Sequence, residues 1–249
     1  MTTPAASSPS SLKSLKSLAS LEGVPSAFAA ARDGIDSLLR DRGLRRTAPE
    51  TTTESLLRGA HASAVLEGSA SSLEDVRAGA GDEVAQDAVR VSAELLSWGP
   101  TLSHSPLQVL ARLHTVAAAR SLADERLGRP RDAGSAARLR GVADVLSAGA
   151  DVPAMLVAAV AHAELMAAAP FGSHNGVVAR AVERLVLVSR GVDAKSLVVP
   201  ELGHLANRAA YESNLGAYRD GGPAGVHAWL LYAAEAYAAG AEHSPLAQP

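Results

Sequence analysis

The sequence lacks cysteine altogether and contains few aromatic residues. Without cysteine the chain can form neither a disulfide bond nor a thiolate metal site. Aromatic residues make up 3% of the 249 residues, whereas hydrophobic residues make up 47%. Alanine and leucine must therefore fill the core, and these residues favour closely packed helices over sheets. The composition predicts an all-α protein with one sizeable core.

Two further absences concern membranes and nucleic acids. No run of about eighteen apolar residues occurs, so no membrane-spanning helix is predicted. The formal net charge of -3 leaves no broad basic surface, so nucleic acid is not expected as a partner. Residues 1–20 are rich in serine and lack the apolar region of a secretory signal. We expect them to form a disordered tail on a cytoplasmic protein.

Helix start signals recur along the rest of the chain. Thr51-x-x-Glu54 and Ser71-x-x-Glu74 are capping patterns, and prolines open several further apolar segments. No alternating stretch is long enough to predict a strand, and no internal repeat is present. These signals predict a bundle of helices.

The segment of residues 162–180 carries the most specific pattern. It reads His-Ala-Glu-Leu-Met-Ala-Ala-Ala-Pro-Phe-Gly-Ser-His-Asn-Gly-Val-Val-Ala-Arg. This pattern resembles the signature of the Fic family, in a divergent bacterial form. In that signature a helix carries a histidine, and His-Pro-Phe, an acidic residue, Gly-Asn-Gly-Arg and a second arginine follow. The matching residues are His162, Pro170, Phe171, Asn175, Gly176 and Arg180.

Four departures from the signature bear on activity. Ala169 stands where the resemblance implies the catalytic histidine, and alanine has no proton acceptor for general-base catalysis. Ser173 replaces the acidic residue that binds magnesium, and it is a poor ligand for that ion. His174 replaces a glycine of the phosphate loop, and Val177 replaces the first arginine. The resemblance therefore implies a Fic fold without the usual AMP transfer.

A second motif lies upstream, at Ser63, Glu67 and Gly68. The spacing Ser-x-x-x-Glu-Gly resembles the inhibitory motif of Fic proteins, in which the glutamate reaches the second arginine. We therefore predict an ion pair between Glu67 and Arg180. The apolar spacing after Pro25 predicts an N-terminal helix at residues 21–47. The resemblance implies a Fic-like helical bundle with its inhibitory helix at residues 48–240, and residues 241–249 are expected to form a tail.

The expected ligand-binding residues are those of the loop and the helix that follows it. Free backbone N–H groups at a helix start can hold an anion. The predicted nucleotide or phosphate site comprises Gly172, Ser173, His174, Asn175, Gly176 and Arg180. ATP or another nucleotide is the expected ligand, without magnesium held by Ser173.

Three functions stay open at this stage. The first is a degenerate Fic-fold protein that binds a nucleotide or a partner protein, and the second is a transferase with altered chemistry that uses His174 as its base. The third is a structural homo-oligomer.

No zinc site is predicted, because the eight histidines show neither His-x-x-x-His nor His-Glu-x-x-His spacing. His162 is expected to be buried and hydrogen-bonded.

The target-docking hairpin that the resemblance implies is not evident in the sequence. Residues 127–142 are rich in arginine and alanine and lack β-branched alternation. We expect either a vestigial hairpin or a loop followed by a helix. Four arginines occur there, at Arg129, Arg131, Arg138 and Arg140, and they are expected to form a solvated face or to bind an acidic partner.

Overall fold

The computed structural model describes residues 12–41 and 49–247, and within these ranges it contains helices and no strand. The helices are α1 (Leu12–Ala19), α2 (Val24–Asp41), α3 (Pro49–Leu66), α4 (Leu73–Arg77), α5 (Glu83–Leu95), α6 (Gly99–Leu102), α7 (Pro106–Ala118), α8 (Ala133–Leu146), α9 (Ala154–Ala168), α10 (Asn175–Ser189), α11 (Pro200–Ala206), α12 (Arg208–Asp220) and α13 (Pro223–Glu242). Short 3₁₀ helices lie at Leu96–Trp98 and Asp124–Arg126. The all-α prediction is confirmed. In the described part of the chain, every helix is too short or too polar to cross a bilayer.

Two helices, α9 and α10, form the centre of the bundle. Every residue of α9 from Met155 to Leu165 is buried, including His162 and Glu164. A helix that is apolar on all sides must be surrounded by protein, and α9 packs against α8, α10, α12 and α13. The loop between α9 and α10 is the segment that resembles the Fic signature, so it starts and ends on buried helices.

Helix α10 brings charge into this apolar interior. Arg180, Glu183 and Arg184 are each at most 2% exposed. Glu183 and Arg184 follow Arg180 by three and four residues, so each lies on the same side of the helix as Arg180. Burial of unpaired charges would be costly, and each of the three has polar partners on neighbouring helices. The packing around α10 is therefore specified by polar contacts as well as by apolar ones.

The two predicted tails lie partly within the described residues, while residues 1–11 and 248–249 lie outside them. Within the predicted tail of residues 1–20, α1 forms and buries Leu15, which is 1% exposed. The predicted helix at residues 21–47 corresponds to α2, while residues 42–48 lie outside the described part. Helix α2 packs on α13. In the predicted tail of residues 241–249, α13 continues to Glu242, and Ser244 is fully buried. The described parts of both segments, residues 12–20 and 241–247, pack on the bundle through Leu15 and Leu246.

Two predicted helix starts are shifted in the structure. The capping box of α4 pairs Ser72 with Asp75, one residue later than the predicted Ser71 and Glu74. Both serine–acid pairs fit the pattern, and only the packing of α4 decides between them. Thr51 lies inside α3 and does not cap it.

Candidate functional site

The loop that joins α9 to α10 is held in one shape by its own residues. Ala169 ends α9 with φ 39° and His174 precedes α10 with φ 56°, both in the left-handed region that side chains other than glycine rarely adopt. The Asn175 side chain accepts from the backbone N–H of Phe171 at 2.9 Å and donates to its carbonyl at 3.1 Å. Phe171 is buried and stacks on His114 at 4.2 Å between ring centroids.

The predicted ion pair between Glu67 and Arg180 is present, with Glu67 Oε1 2.6 Å from Arg180 Nη2. Arg180 also donates from Nε to Ser63 Oγ at 2.9 Å and from Nη1 to the Tyr211 hydroxyl at 3.1 Å. Burial opposes charge on this guanidinium, but the nearby Tyr211 and Glu67 raise the pKa of Arg180 overall. Arg180 is therefore a fully charged group inside the bundle.

The carboxylate of Glu67 takes up the space beside the first turn of α10. A Cβ built on Gly176 would overlap Glu67 Oε1 and approach Arg180 Nη2 at 3.1 Å. Glycine at position 176 therefore permits the contact. Gly68 follows with φ 97° and open space around it, so it serves to turn the chain after α3. Ser63, Glu67 and Gly68 thus bring one anionic group to the start of α10, where an anion is favoured by free N–H groups.

A cavity of about 320 Å³ adjoins the Glu67–Arg180 pair. Its remaining walls come from α9 and α12, together with the end of α3, and comprise Leu66, Met166, Ala167, Tyr211, Glu212, Leu215, Gly216 and Arg219. This volume lies within the range of small-molecule sites. A larger groove of about 960 Å³ lies elsewhere, near α6 and Arg190. The smaller cavity is the better candidate because a buried charged side chain faces it.

His174 has partners on both ring nitrogens. Its Nε2 lies 2.9 Å from Asp87 Oδ2, and its Nδ1 lies 2.7 Å from Ser173 Oγ. Asp87 belongs to α5 and its other oxygen accepts from Arg90 Nη2 at 2.5 Å. The sequence offered no signal for Asp87, because it stands 87 residues from His174 and has no motif around it. His174 is thus held against the bundle, with a side chain 15% exposed.

Behind the loop, His162 belongs to a buried polar network that confirms its expected burial. Its Nε2 lies 2.9 Å from the Tyr211 hydroxyl, and its Nδ1 lies 2.9 Å from Glu183 Oε2. His204 Nε2 lies 2.9 Å from the same oxygen of Glu183, while its Nδ1 lies 3.0 Å from the Tyr232 hydroxyl. Burial lowers the pKa of His162. Burial alone would raise the pKa of Glu183, but the two imidazoles hold it well below its usual range.

Two imidazoles and a carboxylate are also ligands that a metal ion can use. The three candidate atoms of His162, Glu183 and His204 lie within 4.8 Å of one another. Histidine spacing along the chain gives no sign of this trio, because its members belong to three helices. His204 Nε2 is hydrogen-bonded to Glu183 Oε2, whereas His162 Nδ1 lies 2.9 Å from the same oxygen without hydrogen-bond geometry. One hydrogen bond and one close electrostatic contact therefore hold Glu183 between the two imidazoles.

Residues 127–142, for which either a vestigial hairpin or a loop followed by a helix was expected, contain a loop followed by a helix. Residues 127–132 are irregular and α8 follows. The backbone N–H of Arg131 donates to Pro170 O at 2.9 Å, which fastens this segment to the α9–α10 loop. Arg138 pairs with the buried Glu164 at 3.2 Å. The four arginines therefore do not form one uniform solvated face.

Comparison with known proteins supports the fold. No protein-family model and no curated protein sequence matches the chain. A Fic family protein from Desulfovibrio desulfuricans G20 has a similar structure, with a TM-score of 0.72 and 17% identity over 87% of this chain and 73% of that chain. A fragment of Fic-1 from C. elegans matches with a TM-score of 0.64 and 18% identity over 92% of this chain and 79% of that chain. The chain therefore has the Fic fold.

Proposed function

We propose that this chain is a degenerate Fic-fold protein whose site binds a nucleotide or another phosphate ligand, or a partner protein, and does not transfer AMP. The observation that supports the proposal most directly is the Glu67–Arg180 pair. A buried arginine, the start of α10 and a cavity of ligand size meet at this pair. Each of the three favours an anion or can enclose part of a small molecule.

The absence of transferase chemistry follows from side chains that lack the required groups. Ala169 offers no proton acceptor at the position where the Fic signature has histidine. Val177 is 3% exposed and adds an apolar side chain where a guanidinium would grip phosphate. The Ser173 hydroxyl is engaged by His174, so it is not free to hold a magnesium ion. Loss of one catalytic group commonly costs a factor of about 10² or more.

Phosphate binding requires that Glu67 leave its position. Its carboxylate occupies the place where a phosphate group would meet Arg180 and the first turn of α10. The Glu67 side chain is 31% exposed, so its carboxylate can move into water. A phosphate ligand would then replace it as the counter-charge of the buried Arg180. We infer that Glu67 gates the site, as the resemblance to the inhibitory motif implies.

The test is a calorimetric titration of ATP, with and without magnesium, into the wild type and Glu67→Gly. Removal of the competing carboxylate should tighten binding by about tenfold or more, equivalent to about 1.4 kcal/mol. Glu50→Gly is the control, because Glu50 lies exposed in the first turn of α3, at the opposite end from Glu67. Absence of ATP binding to all three proteins would refute the nucleotide proposal and leave a scaffold for protein contacts or self-association.

A further inference from the structure

Three side chains beside the α9–α10 loop form a continuous hydrogen-bonded chain. Ser173 Oγ lies 2.7 Å from His174 Nδ1, and His174 Nε2 lies 2.9 Å from Asp87 Oδ2. The Asp87 side chain is 6% exposed and is fixed by Arg90. A hydroxyl, an imidazole and a buried carboxylate in this order are the parts of an activated serine nucleophile.

The carboxylate decides which nitrogen of His174 carries the proton. Oδ1 of Asp87 forms an ion pair with the Arg90 guanidinium, and its Oδ2, a carboxylate oxygen in such a pair, offers lone pairs to the His174 ring. His174 must therefore donate from Nε2 to Asp87. In the neutral ring this leaves the lone pair on Nδ1, which faces the Ser173 hydroxyl. This arrangement is the one that general-base catalysis requires.

We propose that Ser173 is a nucleophile, that His174 is its general base, that Asp87 is a positioning residue, and that the site accepts carboxylic esters. This proposal goes beyond phosphate binding and does not depend on it. His174 has a left-handed backbone, with φ 56°, and its ring contacts both Ser173 and Asp87. Strained residues of this kind persist where the surrounding structure enforces them, and they cluster at functional sites.

The charges around the loop favour an ester over a polyphosphate for this chemistry. The Glu67 carboxylate already lies beside Gly176 at the start of α10, so a second, highly charged anion is disfavoured while the gate is closed. A neutral ester acquires only one negative charge as it reacts. Arg126 Nη2 lies 2.9 Å from the position that a Cβ on Gly172 would occupy. Its guanidinium therefore lies beside the residue that precedes Ser173, and in the proposed reaction it is a nearby cation that would offset the charge developing on the ester oxygen.

The proposed reaction has two balanced steps. Ser173 Oγ forms a bond to the carbonyl carbon while its proton passes to His174 Nδ1. The ester C–O bond then breaks, and the departing alkoxide takes that proton and leaves as an alcohol. Water attacks the resulting acyl-serine, gives its proton to His174, and releases a carboxylic acid as Ser173 recovers its hydrogen.

The same chain contains a matched control. Ser103 Oγ lies 2.9 Å from Nδ1 of the adjacent His104, so this pair repeats the contact between Ser173 and His174. His104 Nδ1 also lies 3.2 Å from the carbonyl of Pro100, which only accepts, so this nitrogen carries the proton. Ser103 is more exposed than Ser173. Exposure alone therefore predicts faster reaction at Ser103, and activation predicts the reverse.

The experiment treats the full chain with an alkyl fluorophosphonate, which transfers its phosphorus to a serine oxygen with loss of fluoride, and quantifies each serine by peptide mass spectrometry. We expect Ser173 to be labelled on the order of 10² times faster than Ser103. Ser173→Ala should abolish the labelled peptide, and His174→Ala should reduce its labelling by a similar factor. Hydrolysis of p-nitrophenyl acetate should follow the same order among the variants. Equal or slower labelling at Ser173 would overturn the proposal.

A positioning role of Asp87 predicts changes in the rate and in the His174 tautomer that a purely structural role would not cause. Asp87→Asn should slow labelling of Ser173 by a factor of about 10² or more, because an amide donor at this place reverses the ring tautomer. Asp87→Glu should restore part of the rate. Nitrogen-15 NMR of His174 should show a protonated Nε2 in the wild type and a protonated Nδ1 in Asp87→Asn. An unchanged tautomer and rate in a folded Asp87→Asn protein would show that Asp87 does not position the base.

Discussion

Two ion pairs on α10 differ in burial, and this difference predicts different costs when their acids are neutralised. Arg184 pairs with Glu201 at 2.6 Å, and both side chains are at most 6% exposed. Arg180 pairs with Glu67 at the same distance, but the Glu67 side chain is 31% exposed. We predict that Glu201→Gln lowers the free energy of unfolding by about 3–5 kcal/mol, because it leaves a buried guanidinium without its counter-charge.

Glu67→Gln should cost much less, on the order of 1 kcal/mol, because Arg180 lines the cavity of about 320 Å³, where water can solvate its guanidinium once the partly exposed acid loses its charge. Arg180 also keeps its contacts with Ser63 and Tyr211 in that variant. This difference in cost bears on the proposed gating role of Glu67. If Glu67 moves aside for a ligand, the fold must stay stable without the Glu67–Arg180 contact. A costly Glu67 would instead make the pair a structural clip.

The assay is urea denaturation at 25 °C, followed by both far-ultraviolet circular dichroism and tryptophan fluorescence. Trp229 is fully buried, and its indole N–H donates to Ala159 O at 2.9 Å, so its emission reports the core. Coincident transitions by the two probes would support a two-state analysis. A loss for Glu67→Gln equal to that for Glu201→Gln would refute the reasoning and argue against gating.

Two further predictions concern pH and packing. Burial lowers the pKa of His114 from 6.5 to about 4, so the folded state binds a proton at His114 less readily than the unfolded state does. The free energy of unfolding should therefore decrease as the pH falls below 6.5. Between pH 6.5 and pH 5 the free energy of unfolding should fall by roughly 2 kcal/mol. Urea denaturation of His114→Gln at both pH values should show a smaller fall. An equal fall in this variant would show that His114 is not its cause. A Cβ on Gly203 would overlap the backbone oxygen of Ala236, so Gly203→Ala should separate α11 from α13 and cost about 1–3 kcal/mol in thermal or urea unfolding. Gly216→Ala is the control, because a Cβ at this position of α12 would meet open space, and it should be neutral or stabilising by about 0.4–1 kcal/mol. Similar losses of stability in the two variants would exclude a clash between α11 and α13 as the cause.

Much of the fold could be predicted from local chemistry. Scarce aromatics and abundant alanine and leucine indicated helices, and proline and glycine marked most of their ends. The loop at residues 169–176 was located by its resemblance to a known signature, and the same resemblance linked Glu67 to Arg180. These features are local patterns or a known pairing, so they can be recognised without knowing which other helices are near.

The tertiary structure decided the polar partners. Asp87 meets His174, and Glu183 meets both His162 and His204, only because the bundle places α5, α9, α10 and α11 side by side. No spacing along the chain encodes such contacts between separate helices. Order at the two ends has the same origin, since Leu15 is buried only where α1 meets the rest of the bundle. The sequence alone determined the helical class and the resemblance to the Fic signature, and packing determined which polar side chains of separate helices contact one another.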